Sequence, residues 1–321
     1  MYNIPQADTI SAVGYRDIMN TSPYTIRNYK PSDFDKLVLL SQEGVKTEPY
    51  VRPVSEQAIA DWLAWPNFSP EKDLYVVETD DSLVGYIDVR AELGIGRVVL
   101  FCWVHPQHRR HGLATRLLDY AVHRARELGA SAAHVDIGEN NSVARKVLSK
   151  LGFQCVRRFF ELELDMSRVD WEEAQQTAQG CRHFKRGEEA ELTEIQNRSF
   201  ADHWGYNPNT VETTRFSINL SHTSPEDVIF TCEEDKIIGF CWTEVIGDNQ
   251  GRIYMIGTDP NFQGKGIGKK SLLAGLLYLK SKDINSSILT VDSENKAALK
   301  LYRAVGFERR KTTLSFEKVI E

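Results

Sequence analysis

One pattern occurs twice in this chain, and that duplication limits what it can fold into. Arg109 and Gln263, Gly112 and Gly266, Ala114 and Gly268, Asn141 and Asn295, Ala144 and Ala298, and the pairs Gly152-Phe153 and Gly306-Phe307 all stand 154 positions apart. Independent drift would not hold one register over such a span, so the chain is an internal duplication. Its 321 residues suit two domains of ordinary size.

Each copy has the same order of parts, and the second is the sharper. A β-branched and aromatic run at 253–258 breaks at Asp259-Pro260, as a strand end should. Three glycines follow within five residues, in Gln263-Gly264-Lys265-Gly266-Ile267-Gly268, and 269–280 then carries apolar residues at helical spacing. A strand therefore runs into a glycine turn that opens a helix. Residues without side chains let backbone N–H groups converge on an anion, and the helix N-terminus adds partial positive charge. Lys265, Lys269 and Lys270 add formal charge at that end. The spacing is neither a Walker A loop nor the Rossmann glycine motif, and alone it fits an ordinary softened turn equally well.

The repeat decides between these readings. A strand, then Arg/Gln-x-x-Gly-x-Gly/Ala, then Asn-x-x-Ala-x-x-x-Tyr-x-x-x-Gly-Phe resembles the GNAT superfamily of acyl-CoA-dependent N-acetyltransferases, most closely over 251–307. Two copies in one chain resemble the tandem, mycothiol synthase-like branch of that superfamily. The resemblance implies an α/β fold with mixed sheets, two tandem GNAT domains and acetyl-CoA as cofactor. It places pyrophosphate on Gln263, Gly264, Lys265, Gly266, Ile267 and Gly268 with Lys269. It puts the thioester carbonyl at the N–H of Ile256, and pantetheine along Gly257 and Thr258 near Asn295. Tyr302 would protonate or hold the leaving thiolate, since a phenol of ordinary pKa near 10 carries its proton at neutral pH. The plainer reading of Tyr302 is a core aromatic beside Leu299 and Leu301.

The position equivalent to Tyr302 in the first copy is Leu148, which cannot donate a proton. Arg109, Arg110, His111, Gly112, Leu113 and Ala114 remain a plausible phosphate turn, so the first copy is expected to bind CoA weakly and to serve structurally. His105, His108 and His111 recur every three residues, but the interleaved arginines and Pro106 argue against a metal, and none is expected. A general base is harder to find. Many family members carry a glutamate where this chain has Arg252, which by strand parity would share a face with Tyr254 and Ile256, and arginine is not a base. Glu244 is the candidate, with Asp202 and His203 behind it. The stretch containing His203, Trp204 and Tyr206 is a candidate acceptor wall, or equally a loop with Trp204 plugged into the core.

Composition narrows the setting. A hydrophobic content of 41% and charged content of 26% are those of a soluble globular protein. The net charge of −6 argues against general nucleic-acid binding and tolerates a cationic amine. No run is long enough to span a bilayer, and the N-terminus has no export signal. Cys102, Cys155, Cys181, Cys232 and Cys241 are unclustered, as reduced cytoplasmic thiols would be.

The rest of the first copy reads as strand 24–29, helix 31–41, helix 55–65, a hairpin of 74–78 and 83–90 about Asp80-Asp81, strand 97–104, helix 112–128, strand 132–137, helix 142–151 and strand 153–164. Residues 1–22 show no period. Residues 166–180 read as a linker, so the domains are 1–165, non-catalytic, and 181–321, catalytic. The second copy opens with strand 182–185, helix 188–198 and a hairpin of 228–233 and 237–245. Each copy has one strand after its Gly-Phe pair, which suggests that the halves complete each other's sheets in a pseudo-dimer, plausibly monomeric. The expected reaction is direct acetyl transfer to the primary amine of a small molecule, with no nucleic-acid or membrane partner. The alternatives are a non-catalytic acyl-CoA-binding or regulatory protein, and a peptide or protein N-terminal acetyltransferase.

Overall fold

The computed structural model describes residues 23–47, 55–80, 82–246 and 249–321. The N-terminal extension at 1–22 and Asp81 of the first hairpin turn lie outside them. The first copy runs β1 (Thr25–Asn28), α1 (Phe34–Thr47), α2 (Glu56–Leu63), α3 (Pro70–Asp73), β2 (Leu74–Thr79), β3 (Ser82–Glu92), β4 (Arg97–Val104), α4 (Leu113–Glu127), β5 (Ala132–Gly138), α5 (Ser142–Lys150) and β6 (Gln154–Asp165). After α6 (Trp171–Thr177), the second runs β7 (Cys181–His183), α7 (Glu189–Phe200), α8 (Val211–Ile218), β8 (Val228–Glu233), β9 (Lys236–Val245), β10 (Gln250–Thr258), α9 (Ile267–Ser281), β11 (Ser286–Asp292), α10 (Lys296–Val305) and β12 (Glu308–Val319).

Three helices lie outside the ranges expected from sequence: α3 is a single turn before β2, α6 lies in the linker, and α8 lies between α7 and β8. The linker folds into α6, started by Asp170, whose carboxylate accepts from the Glu173 N–H at 3.0 Å. In the second copy, α8 is rich in threonine and weakly patterned, and is set by a capping box between Thr210 and Thr213.

The twelve strands form one sheet in the order β1-β2-β3-β4-β5-β12-β6-β11-β10-β9-β8-β7. The last strand of each copy has crossed over. β6 pairs antiparallel with β11 of the second copy, β12 pairs antiparallel with β5 of the first, and β6 and β12 pair with each other at the centre. The cores follow the crossing. Leu162 and Leu164 of β6 are buried in the cluster around α9, while Leu314 and Phe316 of β12 are buried in the cluster around α4. Each such side chain stabilises by about 1.5–3 kcal/mol through burial, and it does so in the other copy's core. The pseudo-dimer is therefore one interlocked body.

Two corrections concern β10. Its pairing with β9 skips a residue between Ile253 and Met255, so Tyr254 bulges out. Ile253 opposes Thr243 and Ile256 opposes Cys241, which puts Ile253 and Ile256 on one face. Arg252, opposite Glu244, faces the other way with Met255, so it does not share a face with Ile256 as simple alternation had implied. The helix expected from Lys269 begins two residues earlier, at Ile267.

Candidate active site

The parallel pairing of β10 with β11 covers only Gln250↔Ser286 to Ile253↔Leu289. Beyond Ile253 the strands part, leaving the β10 edge from Met255 to Thr258 without a strand partner on that side. One cleft opens from this gap. Ile256, Gly257, Thr258, Gln263, Gly264, Gly266, Gly268, Lys269, Asn295 and Tyr302 all line it, joined by Arg198 and Ser199 of α7 and by Arg157. Gly264 and Gly266 hold the turn at φ +76° and +85°, and no atom lies within 4 Å of where a Cβ would stand. Asn295 caps α10, its side-chain oxygen accepting from the Ala298 N–H at 3.0 Å. The Ser199 hydroxyl is buried against Gly257 without a partner.

These residues fit an extended phosphate-ended thioester: an unpaired strand edge, a side-chain-free turn at a helix N-terminus, and an orphan hydroxyl along the way. Lys269 is tied at 2.5 Å to Glu173 of α6. Lys265 lies over the Phe262 ring at 4.9 Å. Ile267 packs inward against Gly239, so its contribution to the turn is backbone.

A second cavity, of about 390 Å³, meets the first where Ile256, Phe200, His203, Trp204, Asn295 and Tyr302 line both. Tyr302 is buried, its ring edge-on to Phe307 at 5.9 Å. Burial pushes its phenol well above the ordinary value, and no described residue hydrogen-bonds the hydroxyl. The tyrosine therefore combines both sequence readings: its ring belongs to the core and its edge to the cavity.

His203, Trp204 and Tyr206 line this second cavity. His203 stacks on Phe200 at 4.7 Å, and its Nε2 lies 3.5 Å from the Asn295 amide nitrogen. Burial lowers its pKa, against smaller raising effects of Asp292 and Asp202. Tyr206 donates to Asn197 at 2.8 Å, and burial pushes its phenol up to about 12. Trp204 is half-buried and lines both cavities, its ring tilted against His134 and Phe159 with the Arg157 guanidinium 5.4 Å from its centre. Asp202 lines the first cleft only.

Glu244 stands elsewhere. It pairs with Arg252 at 3.5 Å and lines a separate cavity with Arg90, Asp61 and His222, reached past Tyr254. The structure does not bring it together with Tyr302.

Sequence reasoning missed the part of the second cavity built by the first copy: Arg97, Val99, His134 and Asp136, with Phe159 and Ser315 of the crossed strands. Arg97 holds the wall directly, donating to the Gly205 carbonyl at 2.6 Å while pairing with Glu92. No motif marks these residues, because only the strand crossing carries them there.

The equivalent turn in the first copy is built differently. Arg109 Nε donates to the Val104 carbonyl at 2.9 Å, within its own loop. Arg110 holds φ +67°, the conformation of Gly264, and Gly112 holds +72°, that of Gly266. Leu113 is buried in the core, Ala114 packs against it, and His111 Nδ1 lies 3.2 Å from the His108 carbonyl. The histidine triplet is structural: His105 caps the turn that Asp259 caps in the second copy, and His108 bonds Tyr24 at 3.1 Å. Among the described residues no group of ligands could hold a metal, all five cysteines are free thiols, and no helix is long and apolar enough to cross a membrane.

Comparison with known proteins agrees with this geometry. The sequence profile of the acetyltransferase (GNAT) family matches twice, at residues 40–153 and 190–307. A mycothiol acetyltransferase of Amycolatopsis mediterranei is 30% identical over 248 residues, covering 74% of this chain and 81% of that protein. One of Thermobifida fusca is 31% identical over 243 residues, covering 68% and 73%. Among solved structures, a tandem GNAT protein from the clavulanic acid biosynthesis pathway superposes with a TM-score of 0.70 at 14% identity, covering 93% of this chain and 99% of that one. A GCN5-related N-acetyltransferase from Sphaerobacter thermophilus gives 0.67 at 22% identity, covering 93% and 96%.

Proposed function

Since this chain belongs to the acetyltransferase (GNAT) family and carries its domain twice, we propose that its C-terminal half, 181–321, transfers acetyl from acetyl-CoA directly to the primary amine of a small molecule, with 1–165 as a non-catalytic partner. The observation that carries this reading is the meeting of two cavities at Ile256 and Tyr302. One has the length and lining for a donor, and the other can hold an acceptor.

Acetyl-CoA would supply an activated thioester and a thiolate leaving group. The turn from Gln263 to Gly268, with Lys265 and Lys269, would hold the diphosphate. The unpaired β10 edge at Gly257 and Thr258 would bind the pantetheine amides beside Ser199 and Asn295. The Ile256 N–H would face the carbonyl oxygen where negative charge develops, a contact of this kind being worth about 3 kcal/mol of barrier. Tyr302, kept protonated by burial, would give a proton or hydrogen bond to the departing sulfur. His203 takes the role of base in this scheme. It lines both cavities, and its lowered pKa keeps it neutral and able to accept the proton of the attacking amine. Glu244, in its separate cavity, is not needed for the step. Trp204 and Tyr206 wall the acceptor.

The relatives' name points to an acceptor of the mycothiol type, so the test is thiol release from acetyl-CoA with a panel of small amines that includes the relatives' deacetylated acceptor. Turnover with some amine, lost in Tyr302→Phe, is the expected result. Acetyl-CoA binding without turnover on any amine would point to a binding protein instead.

A further inference from the structure

We propose that the N-terminal half reads the far end of an extended acceptor: Asp136 and His134 take a hydrogen-bond-donating group there, an ammonium above all. This rests on the reading above, in which the acceptor's reacting amine sits at Ile256 and Tyr302.

The acceptor cavity does not end at the catalytic half. It continues across the sheet to Arg97 and Val99 of β4 and to His134 and Asp136 of β5. Four strand spacings separate β5 from β10, about 19 Å along a flat sheet and less across a curved one. A ligand that fills the cavity is therefore long, and its distal end meets residues of the first copy.

Those residues are acceptors. His134 is 5% exposed, and its Nε2 lies 2.8 Å from the Glu317 carboxylate, its direct cross-strand partner on the crossed strand β12. With Nε2 donating to that carboxylate, the neutral ring would present Nδ1 as an acceptor. Asp136 lies two residues along on the same face, solvent-exposed, and opposite Ser315, which also lines the cavity. Among the described residues Asp136 has no ion pair. The neighbouring cations are taken: Arg97 by Glu92 and the Gly205 carbonyl, Arg157 by Asp292 and Glu294. The charges named leave this end net negative, Arg97 and Arg157 standing against Glu92, Asp292, Glu294, Glu317 and Asp136, and Asp136 is the carboxylate among them without an ion pair.

The test compares spermidine with octylamine, chains of similar length with and without a distal ammonium. It uses the whole protein, wild type beside Asp136→Asn and His134→Gln. Expected is a wild-type preference for spermidine in kcat/KM, carried by KM rather than kcat, that shrinks about tenfold to a hundredfold in Asp136→Asn. Spermidine binding to the CoA-loaded protein, measured by calorimetry, should weaken by the same factor. Equal use of the two amines by the wild type, or spermidine binding indifferent to Asp136, overturns the assignment. If neither amine is acetylated while spermidine binding still depends on Asp136, the wall stands, and the catalytic reading is decided separately by the amine panel above.

Discussion

The two halves share a plan and differ at the positions that matter for chemistry. In β10 a bulge at Tyr254 follows directly on Ile253, the last residue paired with β11, whereas β4 pairs with β3 from Gly85↔Val104 to Glu92↔Arg97 without a shift. Gly257 has its counterpart in Trp103, whose indole packs on Gly44 of α1. In the second half α7 comes so close that a Cβ on Gly257 would stand 2.6 Å from Ser199. Tyr302 has its counterpart in Leu148, buried in the core. Duplication thus supplied two identical frames. Both frames part from their parallel neighbour after four pairs, β10 from β11 beyond Ile253 and β4 from β5 beyond Leu100, but the second has a bulge, a glycine and a phenol where the first has an unshifted strand, Trp103 and Leu148. The first half still contributes, because β4 and β5 carry Arg97, Val99, His134 and Asp136 into the second cavity.

The largest expected effect tests that contrast at its centre. Tyr302→Phe should lower kcat by about a hundredfold to ten-thousandfold at neutral pH, measured as thiol release, with acetyl-CoA binding retained. The reciprocal Leu148→Tyr should create nothing, since β4 lacks the bulge. Activity restored by Leu148→Tyr in the Tyr302→Phe background would show that the halves differ by that residue alone.

Next is the interlock. Leu164 is fully buried in the second half's core although it belongs to the first copy's strand. Leu164→Ala should cost about 2–5 kcal/mol, and denaturant unfolding should remain a single transition reported alike by probes in both halves. Cleavage within 166–180 should leave the halves associated under native conditions. Two independently folded monomers after cleavage would contradict the crossed sheet.

How much of this could be read from the sequence follows from what each feature depends on. The repeat, the glycine turn and the single strand after each Gly-Phe pair are local patterns, and the turn, the helices and the crossed strands stand where those patterns put them. The bulge at Tyr254 was not readable, because it shows only against β9, and missing it reversed the face assigned to Arg252. The bounds of α8 were not readable either: the repeat implies a second helix in this copy, but a weakly patterned, threonine-rich sequence does not mark where it runs. The contribution of Arg97, His134 and Asp136 lay out of reach altogether. Those side chains meet the second half only through pairing between residues nearly two hundred positions apart, such as His134 with Glu317.

A smaller effect separates the acid from the base. Burial holds the His203 pKa below the ordinary 6.5, so the neutral, accepting form persists above that lowered value, and activity falls as pH drops through it. His203→Gln should lower kcat/KM by about a hundredfold and remove this acid limb, leaving the alkaline side unchanged. A retained acid limb would move the base elsewhere, with Asp202 next to be substituted.

The smallest effect asks whether the first turn holds any ligand. Arg110 occupies the left-handed conformation that glycine occupies at 264, at about 1–2 kcal/mol of strain for a residue with a Cβ. Glycine removes that strain and gives back about 0.5–1 kcal/mol through the freer unfolded chain. Arg110→Gly should therefore raise stability by about 0.5 kcal/mol. A turn that serves only as scaffold would keep its acetyl-CoA stoichiometry of one per chain and its kcat/KM. Were Arg110 retained at its strained φ to grip a phosphate, the same substitution would gain the stability and lose a second, weaker binding event. Calorimetric titration with acetyl-CoA, beside a melting curve, distinguishes a strained arginine kept for a ligand from one merely tolerated by the fold.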